Sequence, residues 1–180
     1  MGPVEPGQLI IGMLIAPTAP LPEIEGELVA RWGPIALASE EWDFIWTDYY
    51  TAEMGPGLRR KFLAFERPID PAELVPIKKA TQALEQAFAV AGPTGPRRTV
   101  NLDPGYLTLG QLVLATTKPH QHRLYLGQGI YGEVTLRFQH GTYVPWPWTY
   151  PDYRTPDYIG FFNRVRKFHQ QQLRGRLEAP

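Results

Sequence analysis

The chain has 180 residues, 43% apolar and 20% charged, the size and composition of one globular domain with a sizeable core and no apolar run near the roughly 18 residues of a membrane helix. Eighteen basic residues balance eighteen acidic ones, which argues against a nucleic-acid partner. The absence of cysteine excludes disulfides, thiolate metal sites and a cysteine nucleophile, and suits a cytoplasmic protein.

Gln8 to Ala16 is an almost unbroken apolar run between Gly7 and Pro17, the pattern of a strand buried on both faces. It is too short for an export signal, and no Lys or Arg precedes it. Ile24, Leu28 and Trp32 recur every four residues up to Gly33, which predicts a three-turn helix with an acidic start. Ile35 to Leu37, Trp42 to Trp46 and Lys61 to Glu66 read as strand segments of a long, irregular hairpin. Asp70-Pro71-Ala72-Glu73 is a helix start, with an aspartate cap, proline at the first helical position and glutamate three residues on. The helix runs to Gly92, and Pro76 predicts a kink or a displaced start. Its Lys78, Thr81, Gln82 and Glu85 share one face, most simply a solvated one.

Thr99 to Leu102 reads as another strand, and Leu107 to Thr116 as a helix turn followed by a strand. Arg123 to Leu126, Gly132 to Phe138 and Tyr143 to Val144, the last after a His140-Gly141 turn, complete a hairpin-rich region. A final helix spans about Pro156 to Leu173, with Ile159, Phe162, Val165, Phe168 or His169, and Leu173 on one stripe. Arg164, Arg166, Lys167, Arg174 and Arg176 lie outside that stripe. The expected architecture is a single α+β domain over residues 1–180: a ferredoxin-like βαββαβ core, a C-terminal β-hairpin extension and a last helix.

No phosphate loop, dinucleotide fingerprint or serine nucleophile elbow is present. Chemistry-bearing residues concentrate instead in four stretches beside strand-like runs, at residues 46–55, 101–106, 118–125 and 148–153. Asp48, Glu53, Asp103, His122 and Glu133 are the candidate acid-base groups, and the carboxylates among them could hold a hard cation such as Mg²⁺ beside a substrate phosphate. Lys61, Lys118 and Arg123 would bind an anion, while Tyr50, Tyr106 and Tyr125 would shape the walls. His120 and His122 alternate as two imidazoles on one strand face would, a minimal metal pair.

Several runs together resemble one family: Thr47-Asp48-Tyr49-Tyr50 with Glu53-Met54-Gly55, Asn101 to Tyr106, Leu114 to Lys118, His122 to Leu126, Glu133-Val134-Thr135 and Trp148 to Tyr153. Over about residues 8 to 173 the chain resembles the bacterial and archaeal family DUF4416. The resemblance implies no assigned activity and carries over no catalytic residues; Pro76 and Trp46 depart from its usual pattern. The function expected from the residues is a pocket for an anionic or phosphorylated small molecule such as a nucleotide, with metal-assisted hydrolysis or phosphoryl transfer as the first reaction class to test. The competing expectation is a non-enzymatic protein- or RNA-docking module using the basic last helix and the tryptophan segment. Pairing of an open sheet edge across a two-fold axis would make a homo-oligomer.

Overall fold

The computed structural model describes residues 4–177, and side chains as far as residue 175. Among these residues nine strands form one antiparallel sheet: β1 (Gly7–Ile15), β2 (Ile35–Ala38), β3 (Trp42–Asp43), β4 (Arg59–Ile69), β5 (Val100–Leu107), β6 (Gln111–Thr116), β7 (Leu124–Gly127), β8 (Ile130–Gln139) and β9 (Thr142–Pro145). Four helices accompany it, α1 (Leu21–Trp32), the single turn α2 (Thr51–Met54), α3 (Leu74–Ala87) and α4 (Pro156–Leu177), so the fold is α+β. The strand order is β2-β4-β1-β5-β6-β8-β7, with β3 added to β4 and β9 to β8.

The continuous apolar run becomes an interior strand, between β4 and β5, and its alternate residues serve two cores. Leu9, Ile11, Met13 and Ile15 pack beneath α1 and α3 against Ile24, Leu28, Trp32, Ile77 and Leu84. On the opposite face, Ile10 joins Phe62, Ala64 and the α4 residues Tyr158, Phe161, Phe162 and Val165. The stripe on α4 is thus centred on these residues and the buried His169, while Phe168 is only partly covered. The basic residues are divided: Arg166 donates to the Leu109 carbonyl at 2.8 Å and lies over the Phe138 ring, whereas Arg164, Lys167 and Arg174 are exposed. Arg176 lies outside the described side chains.

Gln8 is a buried polar residue within β1. The β1/β4 register slips between Gln8 and Ile10, and the Gln8 amide donates to the Phe65 carbonyl beside that slip. A buried carbonyl is thereby satisfied without a strand partner. The start at Asp70 is borne out, since Asp70 Oδ1 accepts from the Ala72 amide at 2.8 Å and the Asp70 amide donates to Glu73 Oε1 at 3.0 Å. A short 3₁₀ turn over Pro71–Glu73 follows, so the α-helix proper begins at Leu74 and Pro76 falls in its first turn, where its missing N–H costs little. Asp70→Ala should lower stability by about 1 kcal/mol, measured by urea unfolding.

Two expectations about β5 and β6 are corrected. The strand β5 does not stop at Leu102 but runs through Pro104-Gly105 to Leu107, and the helix turn expected after Leu107 is a hairpin turn. Thr108 closes that turn by accepting from the amides of Gly110 and Gln111, both at 3.2 Å. His140 and Gly141, with φ of 51° and 82°, form the expected turn between β8 and β9, both in the left-handed region that suits a two-residue hairpin.

Candidate functional site

The sheet is forked between β5 and β6. These strands pair only where Gly105–Leu107 faces Leu112–Leu114; β6 then continues beside β8 and leaves residues 100–104 of β5 with an open edge. Sequence explains the split. Leu102 directs its amide and carbonyl to that edge, so by alternation Pro104 faces the same way with no N–H to offer a partner strand. At the apex Gly105 lets the backbones close up, since a Cβ there would strike the Val113 carbonyl oxygen.

The open edge is satisfied from α3. Lys78 Nζ donates to the Leu102 carbonyl at 2.9 Å, and Glu85 Oε1 accepts from the Leu102 amide at 2.6 Å. The helix face expected to be solvated is therefore the inward one: Lys78, Thr81 and Glu85 are all buried. Burial pushes the Glu85 carboxyl above its ordinary range, partly offset by Lys78 and the Leu102 amide.

A cavity of about 450 Å³ fills the fork. Its floor is built on Arg60, whose alternation with Phe62 and Ala64 along β4 puts it on the α4 face of the sheet. Arg60 is 4% exposed; Nη1 donates to Asp103 at 3.1 Å and Nη2 to Asp152 at 3.4 Å. Burial opposes ionisation of Asp103, but Lys78 and Arg60 outweigh it and hold the carboxyl below its ordinary range. Asp152 goes the other way, raised by burial that Arg60 only partly offsets. Beside them Arg98 grips both oxygens of Glu53 at 2.6 and 2.7 Å and donates to Asn101 Oδ1 at 2.9 Å. The bidentate hydrogen bonds from Arg98 lower the Glu53 pKa.

The other prong carries Glu133, on β8 opposite Leu114. It accepts from Arg123 Nε at 2.7 Å and lies 2.9 Å from His122 Nε2. Arg123 also donates to the Lys118 carbonyl at 2.8 Å and to the Tyr150 hydroxyl at 3.3 Å, which fixes the loop between β6 and β7 against the cavity. Phe44, Trp46, Tyr49, Tyr50 and Tyr150 form an aromatic margin, and the exposed Lys118 ammonium sits 4.1 Å from the Tyr49 ring centroid.

Of the residues singled out in the sequence, Tyr50, Asp103, Lys118, Arg123 and Glu133 line this cavity. Glu53 and His122 stand one contact behind, through Arg98 and Glu133. The remainder lie elsewhere. Asp48 is exposed and outside the lining, in the turn before α2, although its neighbours Thr47 and Tyr49 face inward. Lys61 points to the α1 side of β4 and pairs with Glu25 at 2.6 Å. Tyr106 packs against the core beneath the helices, and Tyr125 sits on edge strand β7, 63% exposed beside Tyr131. The imidazoles of His120 and His122 stack with centroids 5.8 Å apart and planes 9° apart, and His122 continues onto Trp148. Among the described residues no group of three His, Asp or Glu is arranged to hold a metal ion.

Sequence reading did not assign Arg60, Lys78, Glu85, Arg98, Asn101, Asp152 or Tyr153 to the site. Two signals were available: Arg60 is in phase with Phe62 and Ala64 on β4, and Asp152-Tyr153 closes one of the four stretches. The family model described as "Domain of unknown function (DUF4416)" matches residues 5–169. No curated protein and no solved structure matches the chain.

Proposed function

The chain belongs to the DUF4416 family, and we propose that its forked sheet is a binding cavity for an anionic small molecule, phosphorylated or carboxylated, with nucleotides as the leading class. The observation that carries this reading is one concave space, open to solvent on one side, where five basic side chains, Arg60, Lys78, Arg98, Lys118 and Arg123, meet an aromatic margin. Its volume of about 450 Å³ falls within the range of small-molecule sites. The anion would be held by Lys118, and the rings of Tyr49, Tyr50 and Tyr150 would cover its apolar part.

Binding is proposed rather than metal-assisted hydrolysis or phosphoryl transfer. A Mg²⁺ site would use carboxylates free of other cations, whereas Asp103, Asp152, Glu85 and Glu133 each already face a guanidinium or ammonium. The docking alternative is weakened by Arg166, which is spent on an internal contact. Within the sheet, β1-α1-β2-β4-α3-β5 follows the order expected of a ferredoxin-like unit, with β2-β4-β1-β5 adjacent and antiparallel. We read it as that unit, with β6 to β9 as an extension that supplies the second prong. No described helix is long and apolar enough to cross a membrane, and a cytoplasmic setting fits the cysteine-free sequence.

A thermal-shift screen of nucleotides, sugar phosphates, small carboxylates and divalent ions tests the reading. At least one organic anion should raise the melting temperature where its uncharged counterpart does not. Lys118→Ala should weaken that compound about tenfold, the loss of one charge-assisted contact. Stabilisation by divalent ions alone, or equal binding to wild type and Lys118→Ala, would refute it.

A further inference from the structure

The distribution of charge in the fork narrows the class of ligand, and this inference rests on the anion-binding reading above. Four of the five lining bases already have carboxylate partners: Arg60 with Asp103 and Asp152, Lys78 with Asp103, Arg98 with Glu53 and Glu85, Arg123 with Glu133. Among the described residues only Lys118, of those five, has no carboxylate partner; its ammonium rests on the Tyr49 ring at the solvent side. The interior of the cavity therefore holds no surplus positive charge. Asp103 and Asp152 at the floor would repel any phosphate pushed deep.

The floor nevertheless has unfilled hydrogen-bonding capacity. The Tyr153 hydroxyl, on a lining residue 3% exposed, has no hydrogen-bond partner within bonding geometry. Buried polar groups left in that state are costly and are ordinarily filled by water or ligand. The hydroxyl can donate, so it suits a neutral acceptor such as a ring nitrogen or carbonyl oxygen.

We infer that the ligand enters ring first: a flat, acceptor-bearing ring on Tyr153, and a single terminal anionic group outside, on Lys118. Nucleoside monophosphates have this construction. Nucleoside triphosphates do not, because their extra charge has no unpaired base to meet and faces Glu133 and Asp103 instead.

The test compares affinities of the four ribonucleosides, their 5′-monophosphates and their 5′-triphosphates for the full-length protein at fixed ionic strength. For at least one base the monophosphate should bind about tenfold tighter than both the nucleoside and the triphosphate. Lys118→Ala should reduce the monophosphate to the nucleoside's affinity. Tyr153→Phe should weaken nucleoside and monophosphate alike, about fivefold, without lowering the melting temperature of the unliganded protein, since it removes a hydroxyl that bonds to nothing there. A triphosphate that binds as tightly as the monophosphate and still responds to Lys118→Ala would overturn the single-anion inference and leave the anion-binding reading standing. Unchanged affinity in Tyr153→Phe would overturn the ring-first orientation. If none of the twelve compounds binds, the inference falls while the anion-binding reading is decided by the sugar phosphates and carboxylates of the wider screen; if Lys118→Ala alters nothing, both fall.

Discussion

Replacing Arg60 with methionine should destabilise the protein by about 3–5 kcal/mol at neutral pH, among the largest effects open to a single substitution in this chain. Methionine retains most of the volume and the apolar contacts with Phe44, Phe62 and Tyr153, over which the guanidinium now lies. What it removes is the guanidinium shared by Asp103 and Asp152, whose side chains are 26% and 6% exposed. Two carboxylates would then face each other across the floor with only Lys78 nearby, 4.0 Å from Asp103. The pH dependence gives the cause away. Asp103 has a folded-state pKa below its unfolded value, so its stabilising contribution is complete above about pH 4 and is lost as pH falls through the lowered folded value. Asp152, raised in the fold, contributes with the opposite sign: stability falls as pH rises through the interval between its unfolded and folded values. Without Arg60 both carboxyls should retain protons to higher pH, so the penalty measured by urea unfolding should shrink on acidification. A penalty that is the same at acidic and neutral pH would mean that packing, not charge, is what Arg60 supplies.

Gly105→Ala should be the second severe change, about 2–3 kcal/mol, although it adds one methyl group to a buried strand. The new Cβ would meet the Val113 carbonyl oxygen and, at 2.7 Å, a methyl of Leu114. The leucine end can rotate away; the carbonyl cannot, because Val113 is held in the strand ladder between β5 and β8. Relief requires β5 and β6 to separate at the only place where they pair, so the fork should open and amide exchange across Gly105–Leu107 and Leu112–Leu114 should accelerate. Gly110→Ala is the matched control: its added Cβ has nothing within 4 Å, and it should be nearly neutral. If both substitutions behave alike, the apex is not held by close backbone approach.

Local pattern made much of the scaffold legible before any coordinates. The run from Gln8 to Ala16, the cap at Asp70 and the His140-Gly141 turn each have one strong physical solution, and each is found. The strand β5 was hidden because Asp103-Pro104-Gly105 is turn-forming chemistry read locally. Only the fold reveals that proline on an unpaired edge and glycine at a close approach are what a fork needs. The polar face of α3 was misread for a related reason: Lys78 and Glu85 have the spacing of a solvated helix face, and nothing local says that an unpaired strand edge lies beneath them. For the site, the grouping of Tyr50, Asp103, Lys118 and Arg123 was visible in the four stretches, and Glu133 was singled out from outside them. The partner of their central charges was not, since Arg60 reaches Asp152 across 92 positions of sequence.

The central claim is that the fork of the sheet, and no other surface, receives the anion. Titrating nucleoside 5′-monophosphates into ¹⁵N-labelled protein and following backbone amide shifts tests it most directly. The account predicts that the largest changes fall on both prongs together, at residues 98–103 of β5 and its approach and at Thr116, Thr117 and Lys118 where β6 ends, with Lys118→Ala diminishing them. Shifts confined to the exposed basic side of α4 around Arg164, Lys167 and Arg174, or to edge strand β7, would contradict it.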